Sequence, residues 1–394
     1  MLLKPALKKY AIKTLAGAEK LVRGKLAYSP SDLPGFRDFL FLQYMMPLGY
    51  CVHDTPIYEA MRTCMPDARI TVATRGAGYE TLRHNPYIDN LIVTSDPLVD
   101  TLKAAKGLRA ELSRRGIVPA CCMTNCSNPR TRITLLNMLA GKHVRLGHTL
   151  APELYHLPQK YDKTVSLIDN NLCLIANFGC AVEHVEPHVF FTDADLAKVR
   201  ELLQARGIDY ERPLTILVTQ NSGGQRTGWH SARFSHVIRH VNHKTQVAFV
   251  GTAAESQAIE ALRSGAVTMD SLASVSLAGS TTIPELSALL CIADYVVSLD
   301  TGTMHVGRAA GVPMVVLGPS WQKPLEWLPL GMEHIRILRG EDIDRAPENY
   351  QLDEIEVIHV IDAFDELMTL YPASFIERSA RVRKSLSVVD HGGH

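Results

Sequence analysis

From Thr192 onward, short apolar runs and helix-period segments take turns, and that alternation leaves few folds open to the chain. The spacing predicts helices over 193–206, 234–242, 254–263, 284–292 and 304–310. Thr192 stands as a cap before the first of them and Gly207 as its stop. Between them, runs at 214–219, 246–251, 295–299 and 313–317 are apolar enough for strands buried on both faces. Strands alternating with helices imply parallel βαβ units, here a doubly wound sheet of about five strands. The first half repeats the pattern less clearly. Strands are expected at 39–42, 69–73, 90–94 and 118–123, helices at 57–64 and 132–140, and a turn at 47–49.

A chain of 394 residues is too long for one ordinary domain. The expected division is a basic extension and linker over 1–35, a first Rossmann-like domain over 36–188 and a second over 189–340. The remainder, 341–394, holds helical period at 355–370 and a loose polar tail from 379. Two α/β domains of this kind place a ligand in a cleft at the carboxyl ends of their strands. With 46% apolar and 21% charged residues, the composition is that of a soluble globular enzyme. Lys+Arg and Asp+Glu are both 41, so the basic excess of a nucleic-acid binder is missing. No run reaches the roughly 18–20 apolar residues of a membrane-spanning helix. The eight cysteines show no paired metal-ligand spacing, and with no secretory signal the expectation is reduced thiols in a cytoplasmic protein.

Residues 1–26 stand apart. Lys4, Lys8, Lys9, Lys13, Lys20, Arg23 and Lys25 face one acid, Glu19, while Leu3, Leu7, Ala11, Ala18 and Leu21 fall near one stripe. Such a helix either rests peripherally on an anionic membrane surface or docks by its stripe on its own protein.

The segment with the most chemistry is Ser298-Leu-Asp-Thr-Gly-Thr-Met-His305, directly after a predicted strand. Asp300 sits at the strand end, where a carboxylate accepts from sugar hydroxyls. Thr301 and Gly302 open the next helix, whose N–H groups bind anions, and His305 is one turn on. A plain helix cap accounts for one oxygen of this set and not for the rest.

This stretch, with Arg308-Ala-Ala-Gly-Val-Pro-Met-Val-Val-Leu-Gly-Pro-Ser320 behind it, closely resembles the family 9 glycosyltransferases, the heptosyltransferases. The resemblance spans roughly 38–335 and is strongest in the second half. It implies the α/β GT-B fold: two facing Rossmann-like doubly wound domains, with a nucleotide-sugar donor on the C-terminal one. It further implies inverting transfer of heptose from ADP-heptose to lipopolysaccharide or another glycolipid or glycan acceptor, with no cofactor and no metal.

Other positions follow from the resemblance. Thr219-Gln-Asn-Ser-Gly-Gly-Gln-Arg-Thr-Gly-Trp229 matches the loop that cradles the donor diphosphate, with Ser222 and Gly223 close to it. Thr227 stands where the family has lysine, and Arg226 is the nearby cation. Val250-Gly-Thr-Ala-Ala-Glu255 matches a strand–Gly–Glu motif whose glutamate contacts the donor; its plain alternative is a first-turn glutamate favoured by the helix dipole. In Pro47-Leu-Gly-Tyr-Cys-Val-His-Asp-Thr-Pro56, Tyr50 replaces the aspartate that serves the family as base. Asp54, one helical turn on, and its neighbour His53 are the substitutes for acid–base work. Asp54 is otherwise a helix cap. With the family's lysine and aspartate both replaced, a non-catalytic nucleotide-sugar binder, or a partner of another transferase, is the alternative function. A dinucleotide-dependent dehydrogenase is disfavoured, because no Gly-x-Gly-x-x-Gly follows the first strand of either domain.

Overall fold

The computed structural model describes residues 12–15, 17, 30–44, 47–181, 183–221, 228–348 and 350–387. The chain divides into two units, Met1–Glu186 and Pro187–His394.

The first unit is built on six strands: β1 (Asp38–Gln43), β2 (Arg69–Thr74), β3 (Asn90–Val93), β4 (Cys121–Thr124), β5 (Val144–His148) and β6 (Leu157–Gln159). They lie in the order β3-β2-β1-β4-β5-β6, every neighbouring pair parallel. The helices between them are α1 (Leu48–His53), α2 (Pro56–Cys64), α3 (Gly76–Leu82), α4 (Thr101–Arg114) and α5 (Thr131–Ala140), and α6 (Leu167–Leu172) follows β6. Successive side chains of a strand point to opposite faces, and Phe39-Leu-Phe-Leu42 serves both. Phe39 and Phe41 join a core with Ile57 and Met61 of α2 and Ile168 of α6. Leu40 and Leu42 join a second core with Leu108 of α4 and Leu136 of α5. The turn expected at 47–49 is the start of α1, because Pro47 precedes a helical run instead of reversing the chain.

α2 ends at Cys64, which is disulfide-bonded to Cys180. This corrects the expectation of reduced thiols throughout. The two cysteines are 116 residues apart, and they meet because α2 packs against the 3₁₀ turn Cys173–Phe178. Cys51, Cys121, Cys122, Cys126 and Cys291 remain buried thiols and Cys173 an exposed one.

Most of the basic N-terminal segment lies outside the described residues. Of the part that is described, Lys13 is exposed and Ile12 is buried with Met138, Ala151, Leu154 and Tyr155.

The second unit repeats the plan with β7 (Leu214–Val218), β8 (Gln246–Phe249), β9 (Ser274–Ser276), β10 (Tyr295–Leu299), β11 (Met314–Leu317) and β12 (Ile335–Leu338). Their order is β12-β11-β10-β7-β8-β9, again all parallel, so the sheet has six strands and not about five. Its helices are α7 (Asp193–Ala205), α8 (Ser231–Lys244), α9 (Ser256–Ala266), α10 (Ile283–Ile292), α11 (Gly302–Ala310), α12 (Pro324–Trp327), α13 (Val357–Leu370) and α14 (Phe375–Ser385). Thr192 and Asp195 close a reciprocal capping box at the start of α7. Phe249, Val297 and Leu317 pack on one face with Phe234 and Ile238 of α8 and Phe364 of α13.

Much of the stretch read as a loose tail is α14. Arg378 donates to the carbonyls of Tyr210 and Glu211, at 2.5 and 3.0 Å, and Arg381 to those of Cys291 and Ala293. Arg378, just before that stretch, and Arg381 within it are what fasten the helix. Residues 388–394 lie outside the described residues.

Candidate functional site

A doubly wound parallel sheet leaves an opening where neighbouring strands send their chains in opposite directions, at the carboxyl ends. In the second unit that place lies between β7 and β10, paired in parallel from Tyr295↔Thr215 to Ser298↔Val218. Each strand runs directly into a segment singled out from the sequence: Thr219 after β7, Asp300 after β10.

Asp300 is 5% exposed and lies 3.8 Å from His305, carboxylate oxygen to Nε2, beyond direct hydrogen-bond range. Burial pushes the Asp300 carboxyl up to about 6. Burial, with Arg308 adding to it, holds the His305 imidazole down at about 3. Near neutral pH the pair is therefore a carboxylate beside an uncharged ring. The ring lies 6.4 Å, centroid to centroid, from that of Trp327 on α12.

Thr301 occupies the N-cap position of α11, yet its side chain makes no capping bond. Among the described residues its buried Oγ1 has no hydrogen-bond partner, and neither has that of Thr219 at the end of β7. A buried hydroxyl without a partner costs about 1–3 kcal/mol, and two of them stand at the ends of adjacent strands. Capping therefore does not account for Thr301. Gly302 begins α11, so its N–H is among those that a helix start leaves open.

Glu255, beyond β8, divides its two oxygens. Oε2 closes a capping box, accepting from the Thr252 N–H at 2.6 Å and its hydroxyl at 2.9 Å. Oε1 is buried and has no partner among the described residues. The dipole-and-cap reading thus covers one oxygen and leaves one. Ser222, Gly223 and Arg226 lie outside the described residues, as does Thr227.

In the first unit the corresponding opening lies between β1 and β4, paired from Phe39↔Cys121 to Leu42↔Thr124. α1 and Asp54 follow β1. The run Asn125-Cys-Ser-Asn128 follows β4. Asp54 ends α1, and its carboxylate caps no helix. It is 0% exposed and accepts from the Ser127 hydroxyl, at 3.1 and 2.8 Å to its two oxygens, and from Asn171 Nδ2 at 2.8 Å. Burial pushes it up to about 7, against the pull of these hydrogen bonds. The Asn125 amide adjoins the carboxylate and helps hold its charge, yet neither of its side-chain heteroatoms has a partner at hydrogen-bond geometry. His53 is buried beside Asp54, while Tyr50 is half-buried.

The structure thus brings Asp300, Thr301, Gly302 and His305 together, and sets Asp54 among partners that sequence reading missed. Trp327, Ser127, Asn125 and Asn171 carry no spacing signal. A Ser/Asn-rich run after a predicted strand was the one available hint for two of them.

Comparison with known proteins agrees with the residues. The family model described as glycosyltransferase family 9 (heptosyltransferase) matches residues 151–351, just over half of the 394-residue chain. Among solved structures, a family 9 glycosyl transferase from Veillonella parvula superposes with a TM-score of 0.74 at 18% identity, covering 85% of this chain and 97% of that one. The ADP-heptose lipopolysaccharide heptosyltransferase II of E. coli gives 0.70 at 17%, covering 86% and 100%. The E. coli heptosyltransferase WaaC, solved with ADP-2-deoxy-2-fluoro heptose, gives 0.61 at 14%, covering 84% and 99%. A search of curated proteins returned no match. The fold is that of the GT-B heptosyltransferases.

Proposed function

Because this chain belongs to glycosyltransferase family 9, we propose that it moves a heptose or related sugar from a nucleoside-diphosphate donor, ADP-heptose, to a lipopolysaccharide or other glycolipid or glycan acceptor. The observation that carries this reading is the pair of buried, partnerless hydroxyls, Thr219 and Thr301, beside Asp300 and the start of α11. Polar groups of that kind call for a polar ligand.

In this reading the donor lies at the β7/β10 opening. Its diphosphate takes the N–H groups at Gly302, the Thr301 hydroxyl and a hydrogen bond donated by the neutral His305 ring. Ser222, Gly223 and Arg226 complete the phosphate cradle, and the remaining Glu255 oxygen accepts from a donor hydroxyl. Asp300, a carboxylate above about pH 6, accepts from sugar hydroxyls. On the acceptor side Asp54, with His53 beside it, is the base; a group near 7 suits proton abstraction at neutral pH. The acceptor oxygen attacks the anomeric carbon opposite the departing diphosphate, which inverts the centre and requires no divalent metal. The proposed setting is the cytoplasmic face of a membrane, with the basic residues 1–26 against anionic lipid.

The test is a panel of nucleoside-diphosphate sugars offered with and without glycolipid acceptors, in the presence and absence of a chelator, to the native chain and to Asp300→Ala. Inverting, chelator-resistant transfer from ADP-heptose that falls at least 100-fold in the variant is expected. Tight donor binding without turnover on any acceptor would favour the non-catalytic alternative, and no binding of any donor would end the reading.

A further inference from the structure

Asp54 has the character of a base but no surface. It is 0% exposed, and of the groups that touch or adjoin its carboxylate, Asn125 and Asn171 are each 1% exposed. Ser127, at 6%, keeps the largest opening of the three. Its Oγ holds a single proton, which points to Asp54. A hydroxyl that donates one hydrogen bond still has two lone pairs with which to accept. Asn125, two residues away at the end of β4, adjoins the Asp54 carboxylate, yet among the described residues neither its donor nor its acceptor has a partner at hydrogen-bond geometry. A carboxamide with no full hydrogen bond on either side is suited to a hydroxyl, which also gives one hydrogen bond and takes others.

Resting on the transferase reading, we propose that Ser127 is the group through which Asp54 acts on the acceptor, and that Asn125 binds the same acceptor hydroxyl. As the acceptor oxygen bonds to the anomeric carbon, its proton passes to Ser127 Oγ while the proton of Ser127 passes to Asp54. The bond from the anomeric carbon to the diphosphate oxygen breaks, and the electron pair leaves with the nucleoside diphosphate. Ser127 is neutral before and after. Asp54 finishes protonated and returns the proton to solvent between turnovers.

The titratable groups around Asp54 are Cys51 and His53 on α1, Tyr58 on α2 and Cys126 after β4. Burial raises the Cys51 thiol and the Tyr58 phenol far above neutrality, and the Cys126 thiol donates to the Leu167 carbonyl. Since the Ser127 hydrogen bond holds Asp54 down, losing it should move the acid limb of the rate profile to higher pH.

The experiment is steady-state transfer by the full chain, with the donor and acceptor that turn over best, for the native protein, Ser127→Ala, Ser127→Thr and Asn125→Ala. Nucleoside-diphosphate affinity and thermal unfolding are followed in each. Ser127→Ala is expected to lower kcat about 100-fold or more, leave donor KM within about twofold and shift the acid limb upward. Ser127→Thr, which keeps the hydroxyl, should stay within about tenfold of native. Asn125→Ala should raise acceptor KM about tenfold. On the native protein, which removes any question of folding, rates in mixed light and heavy water should bow as two protons in flight require. A linear dependence, or a Ser127→Ala protein with native kcat, would overturn the relay alone. A native chain that transfers nothing from any donor would overturn the transferase reading and the relay together.

Discussion

Thr301 is where a single atom separates binding from stability. Its hydroxyl is buried and unmatched, so Thr301→Val, of nearly the same shape, should leave the unfolding midpoint unchanged or raise stability by up to about 1 kcal/mol. If the hydroxyl serves the donor, the same change should weaken donor binding about tenfold by calorimetry. A loss of stability with unaltered affinity would mean that the hydroxyl has a structural partner instead. Asp54 offers a second residue-scale test, and its sign follows from the direction of its shift. Its folded value, about 7, lies above the ordinary 3.8. Between those limits the folded state keeps a proton that the unfolded chain releases. The contribution is therefore complete at low pH and is lost as pH rises through 7. Measured from pH 4 to 8, native stability should fall relative to Asp54→Asn by on the order of 3 kcal/mol. Parallel curves would show that the carboxyl titrates normally.

At the scale of elements, the ends of the strands are set by close approaches. Gly279 has φ +71°, and a Cβ there would lie 2.8 Å from Ala253 Cα and Cβ. Its N–H also donates to the Gly251 carbonyl at 2.9 Å. The loop that carries Glu255 is thus seated against a backbone with no side chain. Gly279→Ala should cost roughly 1–3 kcal/mol and, by moving this loop, raise donor KM more than it lowers kcat. A variant with native stability and native donor KM would remove Gly279 from any role in placing Glu255. The strands and helices themselves were largely legible, because burial on both faces writes continuous apolar runs such as Tyr295–Leu299 and Met314–Leu317. α14 was not legible: its arginines are spent on backbone carbonyls far away in sequence, and composition cannot distinguish such arginines from solvated ones.

For the whole molecule, the Cys64–Cys180 bond closes a span of 116 residues within the first unit. Reduction should lower stability by about 2–4 kcal/mol. Chemical denaturation with and without a reductant checks this, and Cys64→Ser/Cys180→Ser should match the reduced protein and ignore the reductant. Equal midpoints in all cases would mean that the bond contributes nothing. Among the described residues no helix is long and apolar enough to cross a membrane. The basic segment 1–26 is tested separately, by sedimentation with anionic vesicles before and after these residues are removed.

The sequence alone determined the alternation of strand and helix, the parallel sheets and the Asp300–His305 segment. Each of these is a local pattern: a two-residue or 3.6-residue period, or a motif contiguous along eight residues. Tertiary structure decided what depends on residues distant in the chain. It closed the disulfide, left the Thr219 and Thr301 hydroxyls without partners, and gathered Ser127, Asn171 and Asn125 around Asp54. Hydrogen-bond satisfaction and desolvation are properties of a packed neighbourhood, and no spacing rule along a sequence encodes which neighbours a buried oxygen will have.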